Sequence, residues 1–478
     1  MRTDLFIGNE WRAATSGEAF AVVNPATEEV LAHVQHAGPA DVDAAVVAAR
    51  GCFEGDAWQG LSARKRGALL YRAGELLERR VEEMAALETR QNGKPLFESK
   101  IDVAMTVETL KYYAGWTDKY AGSLVPVENG DFVFTDRVPL GVVGAIVPWN
   151  FPLNLASWKF APALAAGCTV ILKPASETPL TALLMGEIML EAGLPPGAFN
   201  VLPGGGSTTG SMLVRHPGVD KISFTGSTAV GKQVMRDAAE TVKRVTLELG
   251  GKSPNVIFAD ADLKAAVRGA QTGIFYGKGE VCAAGSRLLV ERSVHDQVVE
   301  ELAARAKKLT PGDPFDRNTR LGAVVSKKQQ ETVLSYVEAG RKDGAKLVAG
   351  GNAVKVNGKG YFVEATVFDQ AQPGMRIVDE EIFGPVLAVM TFDGVEQGIK
   401  LANQTIYGLA AGIWTRDVTK AIKVARAIRA GTVWVNTYNL YDSGAPFGGF
   451  KQSGYGRDLG REALDGYTES KTVWVGLR

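Results

Sequence analysis

Between residues 141 and 249 the chain alternates apolar runs with amphipathic ones, and this rhythm narrows the possible folds more than any other feature. Residues 141–147, 168–172, 200–202, 221–224 and 244–249 read as strands. Residues 153–166, 180–192, 208–215 and 230–239 read as the helices between them. Strand, helix, strand in this order is the unit of a parallel sheet with helices on its faces. The rhythm resumes at 264–275, and further helices are expected at 294–308, 327–341, 395–403 and 420–429. A second α/β unit is therefore expected.

The chain before residue 141 is different. Residues 1–20 read as an extended lead-in, with Ile7-Gly8-Asn9-Glu10-Trp11 suited to a small hairpin, and Asn24-Pro25-Ala26-Thr27 is turn chemistry. Helices are expected at 41–49, 63–92 and 94–120, the last following the stop signal Asn92-Gly93. Residues 123–127 and 132–138 read as strands around Glu128-Asn129-Gly130-Asp131. Asn-Gly between β-branched and aromatic runs is a hairpin signal. A two-stranded ribbon is not stable alone, so it must lie on something else. The tail 469–475 is likewise a lone strand in need of a partner.

Composition excludes several classes. A length of 478 residues suggests two or three domains. Lys plus Arg number 53 and Asp plus Glu number 53, so nothing points to nucleic acid or an anionic membrane. The start lacks the apolar run of a signal peptide, and no stretch is long and apolar enough for a membrane span. Three cysteines are too few for a disulfide framework, which suggests the reducing cytoplasm. Four histidines are scattered without ligand spacing, so no metal site is expected.

Five segments carry candidate chemistry. Gly277-Lys278-Gly279-Glu280-Val281-Cys282-Ala283-Ala284 sets a thiol among small residues that leave it open to approach. A lone cysteine is a candidate nucleophile; a small buried hydrophobe fits it too. Phe224-Thr225-Gly226-Ser227 follows a strand and opens a helix, where backbone amides can hold pyrophosphate. It is not the usual Gly-x-Gly-x-x-Gly, and a plain strand-to-helix turn fits the same residues. Lys173-Pro174-Ala175-Ser176 ends a strand and suits ribose or phosphate, or is a surface Lys before a capped helix. Pro148-Trp149-Asn150-Phe151-Pro152 holds an amide between two prolines, either as an oxyanion donor or as a structural turn. Val245-Thr246-Leu247-Glu248-Leu249 puts a carboxylate in an apolar strand. Glu is rarely buried without a reason, and burial raises its pKa towards that of a useful base.

Together these segments resemble the aldehyde dehydrogenase superfamily over nearly the whole chain. Leu247-Glu248-Leu249-Gly250-Gly251-Lys252, Glu380-Glu381-Ile382-Phe383-Gly384-Pro385, Tyr407-Gly408-Leu409-Ala410-Ala411 and Pro446-Phe447-Gly448-Gly449-Phe450-Lys451 add to the likeness. The resemblance implies two doubly wound α/β domains plus a small β oligomerisation element. It places the dinucleotide-binding domain at 1–120 and 141–250, the catalytic domain at 251–450, and the oligomerisation element at 121–140 and 451–478. It implies Cys282 as nucleophile, Glu248 as general base and Asn150 as oxyanion donor. Lys173 and Ser176 would hold the adenosine ribose, Gly226 and Ser227 the pyrophosphate, and Glu381 and Phe383 the nicotinamide ribose and ring. Trp149, Val147, Gly206, Val230, Leu249 and Gln329 complete the cofactor set. The substrate pocket would be lined by Phe151, Leu155, Trp158, Val281, Tyr441 and Phe447.

The implied reaction is NAD(P)-dependent oxidation of an aldehyde to the acid through a cysteine thiohemiacetal and thioester, without metal, in a homodimer or homotetramer with the tail strand paired across subunits. The pocket set contains no Arg, so neutral aliphatic or aromatic aldehydes are expected. Ser176 stands where many members have Glu, which leaves Lys173 free to meet a 2′-phosphate; NADP should be accepted well and NAD also used. Glu280 stands where the family usually has Gln. Turned inward it would raise the thiol pKa, so it is expected to point away and hydrogen-bond the loop. A CoA-acylating enzyme would need no Glu248, and a semialdehyde-specific one would want a cation in the pocket. A non-catalytic member would have lost Cys282, Glu248 or Asn150. A cysteine hydrolase would need a His partner, and none sits in a motif.

Overall fold

The computed structural model describes residues 1–477. Two sheets organise it. The first has eight strands in the order Glu10–Arg12, Leu5–Ile7, Phe199–Val201, Thr169–Lys173, Val142–Ile146, Lys221–Thr225, Arg244–Glu248 and Gly454–Tyr455. The five from Phe199–Val201 to Arg244–Glu248 are mutually parallel, and the outer pairs are antiparallel. Alternate side chains of one strand enter different cores. Val143 and Ala145 join the cluster that holds Phe160, Leu183 and Leu110, whereas Val142 and Ile146 join Val46, Leu213 and Phe224. That is the two-residue period of a strand covered on both faces, and it explains why the sequence shows continuous apolar runs.

The order of strands also creates a crevice. From Val142–Ile146 the chain steps outward to Thr169–Lys173 and Phe199–Val201, then returns to Lys221–Thr225 on the other side. Connections leave the two central strands in opposite directions, so a gap opens beyond their carboxyl ends. The segments 147–151 and 226–228 border that gap.

The second sheet has seven strands, Lys346–Ala349, Thr366–Asp369, Val386–Phe392, Arg287–Glu291, Pro254–Ile257, Ala410–Trp414 and Thr432–Val435, all parallel except the first pair. Only residues 249–253 join Arg244–Glu248 to Pro254–Ile257. The carboxyl edge of the first sheet therefore meets the amino edge of the second. The loop before Arg287–Glu291 carries Cys282 into this seam. A side chain on Gly251 would strike the Cys282 carbonyl.

A third, three-stranded sheet runs Thr468–Val475, Phe132–Pro139, Leu124–Val125. The tail finds its partner within the chain, through eight paired positions, and not across subunits as expected, because the ribbon edge of Phe132–Pro139 is already beside it. The reach of that element is narrower than the expected 451–478. Gly454–Tyr455 pairs with Leu247 and Glu248 at the edge of the first sheet, and Glu462–Asp465 is helical. Two further expectations need correction. The run 63–92 is two helices, Ala63–Arg79 and Val81–Asn92, because Arg80 leaves helical geometry (φ −109°, ψ 19°). Its guanidinium bonds Glu83 and Glu187 instead. The ribbon turn is also wider than the expected Glu128-Asn129-Gly130-Asp131. The last rung is Val125↔Val133, since Pro126 has no N–H to continue the ladder. The tight two-residue turn is at Gly8-Asn9, both at positive φ, between Leu5–Ile7 and Glu10–Arg12.

Candidate active site

Cys282 lies where two cavities meet. One, of about 300 Å³, is the switch-point crevice, and its wall includes Trp149, Asn150, Gly226, Ser227, Leu249, Gln329, Glu381 and Phe383. The other, of about 420 Å³, is lined by Phe151, Leu155, Trp158, Val281, Tyr441 and Phe447. Cys282 and Leu155 belong to both. All six expected pocket residues are therefore together, and eight of the cofactor and oxyanion candidates are together on the other side.

The crevice is held by its own contacts. Ser227 caps the helix Thr228–Ala239 by accepting from the Val230 N–H at 3.3 Å. Gly226 donates to the Glu248 carbonyl, and a Cβ there would lie 2.5 Å from the Phe224 ring. Glu381 accepts from the Gly251 N–H at 3.0 Å, and burial pushes its carboxyl up to about 7. A side chain at Gly250 would collide with that carboxylate. Gln329 donates to the Phe383 carbonyl at 2.6 Å, and Trp149 meets the Phe383 ring edge-on at 5.2 Å. Thr225 Oγ1 is buried without a partner on the same wall.

The other cavity is an aromatic box. Trp158, Tyr441 and Phe447 contact one another with centroids 5.5–5.9 Å apart. Sequence reasoning missed Met105, Asn154, Thr272, Tyr276 and Asn439 on this wall. Asn154 accepts from Trp158 Nε1 at 3.1 Å, so it is one of the few polar groups facing the box.

The remaining candidates stand apart. Lys173 Nζ and Ser176 Oγ both donate to the Gly204 carbonyl, at 2.9 and 3.1 Å. Lys173 is thus less free than expected: one donor is spent on that carbonyl, and the ammonium is buried, where desolvation pushes it down to about 8. Gly206 is exposed just beyond this carbonyl, Val230 is half exposed on its helix, and Val147 donates to the Lys173 carbonyl. None of these six, Glu248 included, lines either cavity.

Glu248 is buried at 5 % exposure with no partner for either carboxyl oxygen. Burial, then the charge of Asp458, raises its pKa well above the ordinary value. Asp458 itself pairs with Lys159 at 2.9 Å, both buried. That pair was missed; the single charged residue, Lys159, in the mostly apolar run 152–166 is the signal that could have found it. Burial, then the carboxylates of Glu381 and Glu248, pushes the Cys282 thiol up to about 12. Glu280 is not among those causes. It turns to Lys278 (2.8 Å) and accepts from the Val325 N–H (3.0 Å). Asn150 Nδ2 donates to the Glu280 carbonyl at 2.8 Å. Among the described residues, no three His, Cys, Asp or Glu side chains gather as metal ligands.

With this geometry in place, comparison with known proteins is informative. Residues 11–473 match the Aldehyde dehydrogenase family. Retinal dehydrogenase 2 of Mus musculus is 48% identical over 478 residues, covering 99% of this chain and 92% of that one. An NAD⁺ complex of the aldehyde dehydrogenase from Bacillus cereus is 48% identical with a TM-score of 0.98, covering 100% of this chain and 97% of that one. An indole-3-acetaldehyde dehydrogenase bound to NAD⁺ is also 48% identical with a TM-score of 0.98, covering 99% and 96%.

Proposed function

The chain belongs to the aldehyde dehydrogenase family, and we propose that it oxidises neutral aliphatic or aromatic aldehydes to acids, with NADP or NAD as acceptor. The observation that carries this reading is the place of Cys282, shared by an apolar box and the switch-point crevice. The first sheet serves as the dinucleotide-binding unit and the second as the catalytic one. The crevice fits a nicotinamide dinucleotide, for it offers a capped helix start, glycines that admit close approach and the unpartnered Thr225 hydroxyl. Bound there, the dinucleotide supplies a hydride acceptor.

The chain's own groups do the rest. The Cys282 thiol gives its proton to solvent, the thiolate adds to the aldehyde carbon, and the carbonyl π pair moves to oxygen. That oxyanion is met by the second Nδ2 proton of Asn150, whose first is on Glu280, and by a backbone N–H. Loss of hydride restores the carbonyl as a thioester. Glu248 then takes a proton from water as the water oxygen attacks, and the thiolate departs with the bonding pair.

Two relatives are named for retinal and indole-3-acetaldehyde, both largely apolar, and the box holds no Arg or Lys to meet a substrate carboxylate. Hexanal and benzaldehyde are therefore expected to give a higher kcat/KM than succinic semialdehyde in a reduced-nicotinamide assay. The reverse ranking would sink the substrate reading.

Cofactor choice rests on Ser176. Lys173 has three donors and the Gly204 carbonyl takes one, so others remain for a 2′-phosphate. A carboxylate at 176 would repel that phosphate. Ser176→Glu should shift the ratio of specificity constants towards NAD by about tenfold or more, ~1.4 kcal/mol. An unchanged ratio would mean that Ser176 does not face the ribose.

The ribbon sheet leaves Leu124, Phe132, Trp474 and Val475 exposed. We place a homodimer or dimer of dimers on that surface. Sedimentation as a 50.9 kDa monomer at micromolar concentration would contradict it. Among the described residues no helix is long and apolar enough to cross a membrane, and the free cysteines suit the cytoplasm.

A further inference from the structure

Behind the loops that carry Cys282 and Asn150 lies a set of buried polar groups that the reaction above does not use. Lys278 is 1 % exposed and sits at φ 61°, a left-handed conformation that costs an L residue energy. Its contacts hold it there. The ammonium donates to the backbone and side-chain oxygens of Asn92, at 2.9 and 2.7 Å, and pairs with Glu280 at 2.8 Å. The Glu280 carboxylate is anchored on its other side by the Val325 N–H. The Glu280 carbonyl receives the Asn150 amide. Asn92, the last residue of Val81–Asn92, donates back to the carbonyls of Trp149 (2.8 Å) and Asn150 (3.4 Å). These contacts form a closed circuit: Asn150 side chain, Glu280, Lys278, Asn92, Asn150 main chain.

We infer that Lys278, Glu280 and Asn92 are positioning residues that hold the Asn150 amide towards the aldehyde oxygen at Cys282. Asn150 is buried and its Oδ1 has no partner, so the bond to the Glu280 carbonyl is what orients the amide. A terminal amide torsion is broad, and nothing else would stop it from turning. An oxyanion donor acts only when it is fixed before charge develops. The circuit fixes both ends of it, the side chain through Glu280 and the main chain through Asn92. The second cationic pair nearby, Lys94 with Asp102 at 2.5 Å, meets the circuit only through the Lys94 backbone N–H on Asn92 Oδ1 (3.2 Å): its ammonium lies over the Phe151 ring and does not bond Asn150.

This inference rests on the roles proposed for Cys282 and Asn150. The test compares variants that remove both charges together, so that neither is left unpaired in the interior. Lys278→Met/Glu280→Gln cuts the bond to Asn92. Lys278→Gln/Glu280→Gln restores a donor. The readout is the pre-steady-state burst of reduced nicotinamide, with the aldehyde KM and the thermal midpoint measured beside it. The Met/Gln protein is expected to burst about tenfold slower than wild type, with KM within about threefold. The Gln/Gln protein should recover at least about threefold of that loss. In an Asn150→Ala background the Met/Gln change should cost nothing further, because its target is gone. The same tenfold loss in that background, a loss seen only in KM, or no recovery by Gln/Gln would overturn the circuit. Asn150→Ala with a wild-type burst would instead overturn the oxyanion role, and Cys282→Ala with any burst the nucleophile role.

Discussion

Cys282→Ala should lower aldehyde-dependent nicotinamide reduction by about 10⁴-fold or more, since no other group near both cavities can form the thioester. Cofactor affinity should be unchanged, because the substitution removes only a sulfur from the crevice wall. A variant that keeps more than a hundredth of the activity would refute the covalent route. The same thiol should show its environment in alkylation. Burial first, and then the carboxylates of Glu381 and Glu248, holds it at about 12. Below that value the thiolate fraction rises tenfold per pH unit, so labelling by iodoacetamide should accelerate about tenfold from pH 7 to 8 and again to 9. A flat profile would mean that the thiolate is already formed at neutral pH. Cys52 and Cys168 are buried and line neither cavity, so the reagent cannot reach them and the Ala variant should take up no label.

Glu248→Gln should keep the first burst of reduced cofactor and lower steady-state turnover by about 10²–10⁴-fold. Only release of the acid needs the base, so acyl-enzyme should accumulate. Equal loss of burst and turnover would place the carboxylate earlier in the reaction. The variant should also be more stable. In the unfolded chain Glu248 ionises near its ordinary value, whereas in the fold it keeps its proton to higher pH. Stability is therefore lost as pH rises above the unfolded value, and a neutral Gln escapes that loss. A gain of ~1 kcal/mol would lift the unfolding midpoint by about 2–4 °C, more at pH 8 than at pH 5. A midpoint that falls would show that the carboxylate has a partner after all.

Much of the architecture was legible in advance, and for a local reason. Buried parallel strands must be nearly all apolar and their helices amphipathic, so 141–249 announced the first sheet. The second sheet was less readable. Its strands Lys346–Ala349 and Thr366–Asp369 are short and flank a separate small hairpin, Ala353–Val356 with Lys359–Val363, so no steady rhythm survives there. The N-terminal pair Ala19–Val23 and Val30–Gln35 is not legible in the sequence, because only Val22 and Val34 of its residues are buried.

The sequence by itself determined the residue types of the candidate site: one open thiol, one carboxylate in an apolar strand, one amide between prolines and glycines where chain meets chain. Each is a property of neighbours along the chain. What only the tertiary structure decided is which of them share a space. Cys282 and Asn150 are 132 positions apart, and the Glu280 carbonyl brings the second beside the loop of the first. Lys159 meets Asp458 across 299 positions beneath Glu248. Lys173 spends one of its three donors on the Gly204 carbonyl, and Glu280 pairs with Lys278 and is not aimed at the thiol. Burial, pairing and the pKa shifts that follow are properties of packing between distant segments. They depend on which sheet edge meets which, and local pattern carries no record of that meeting.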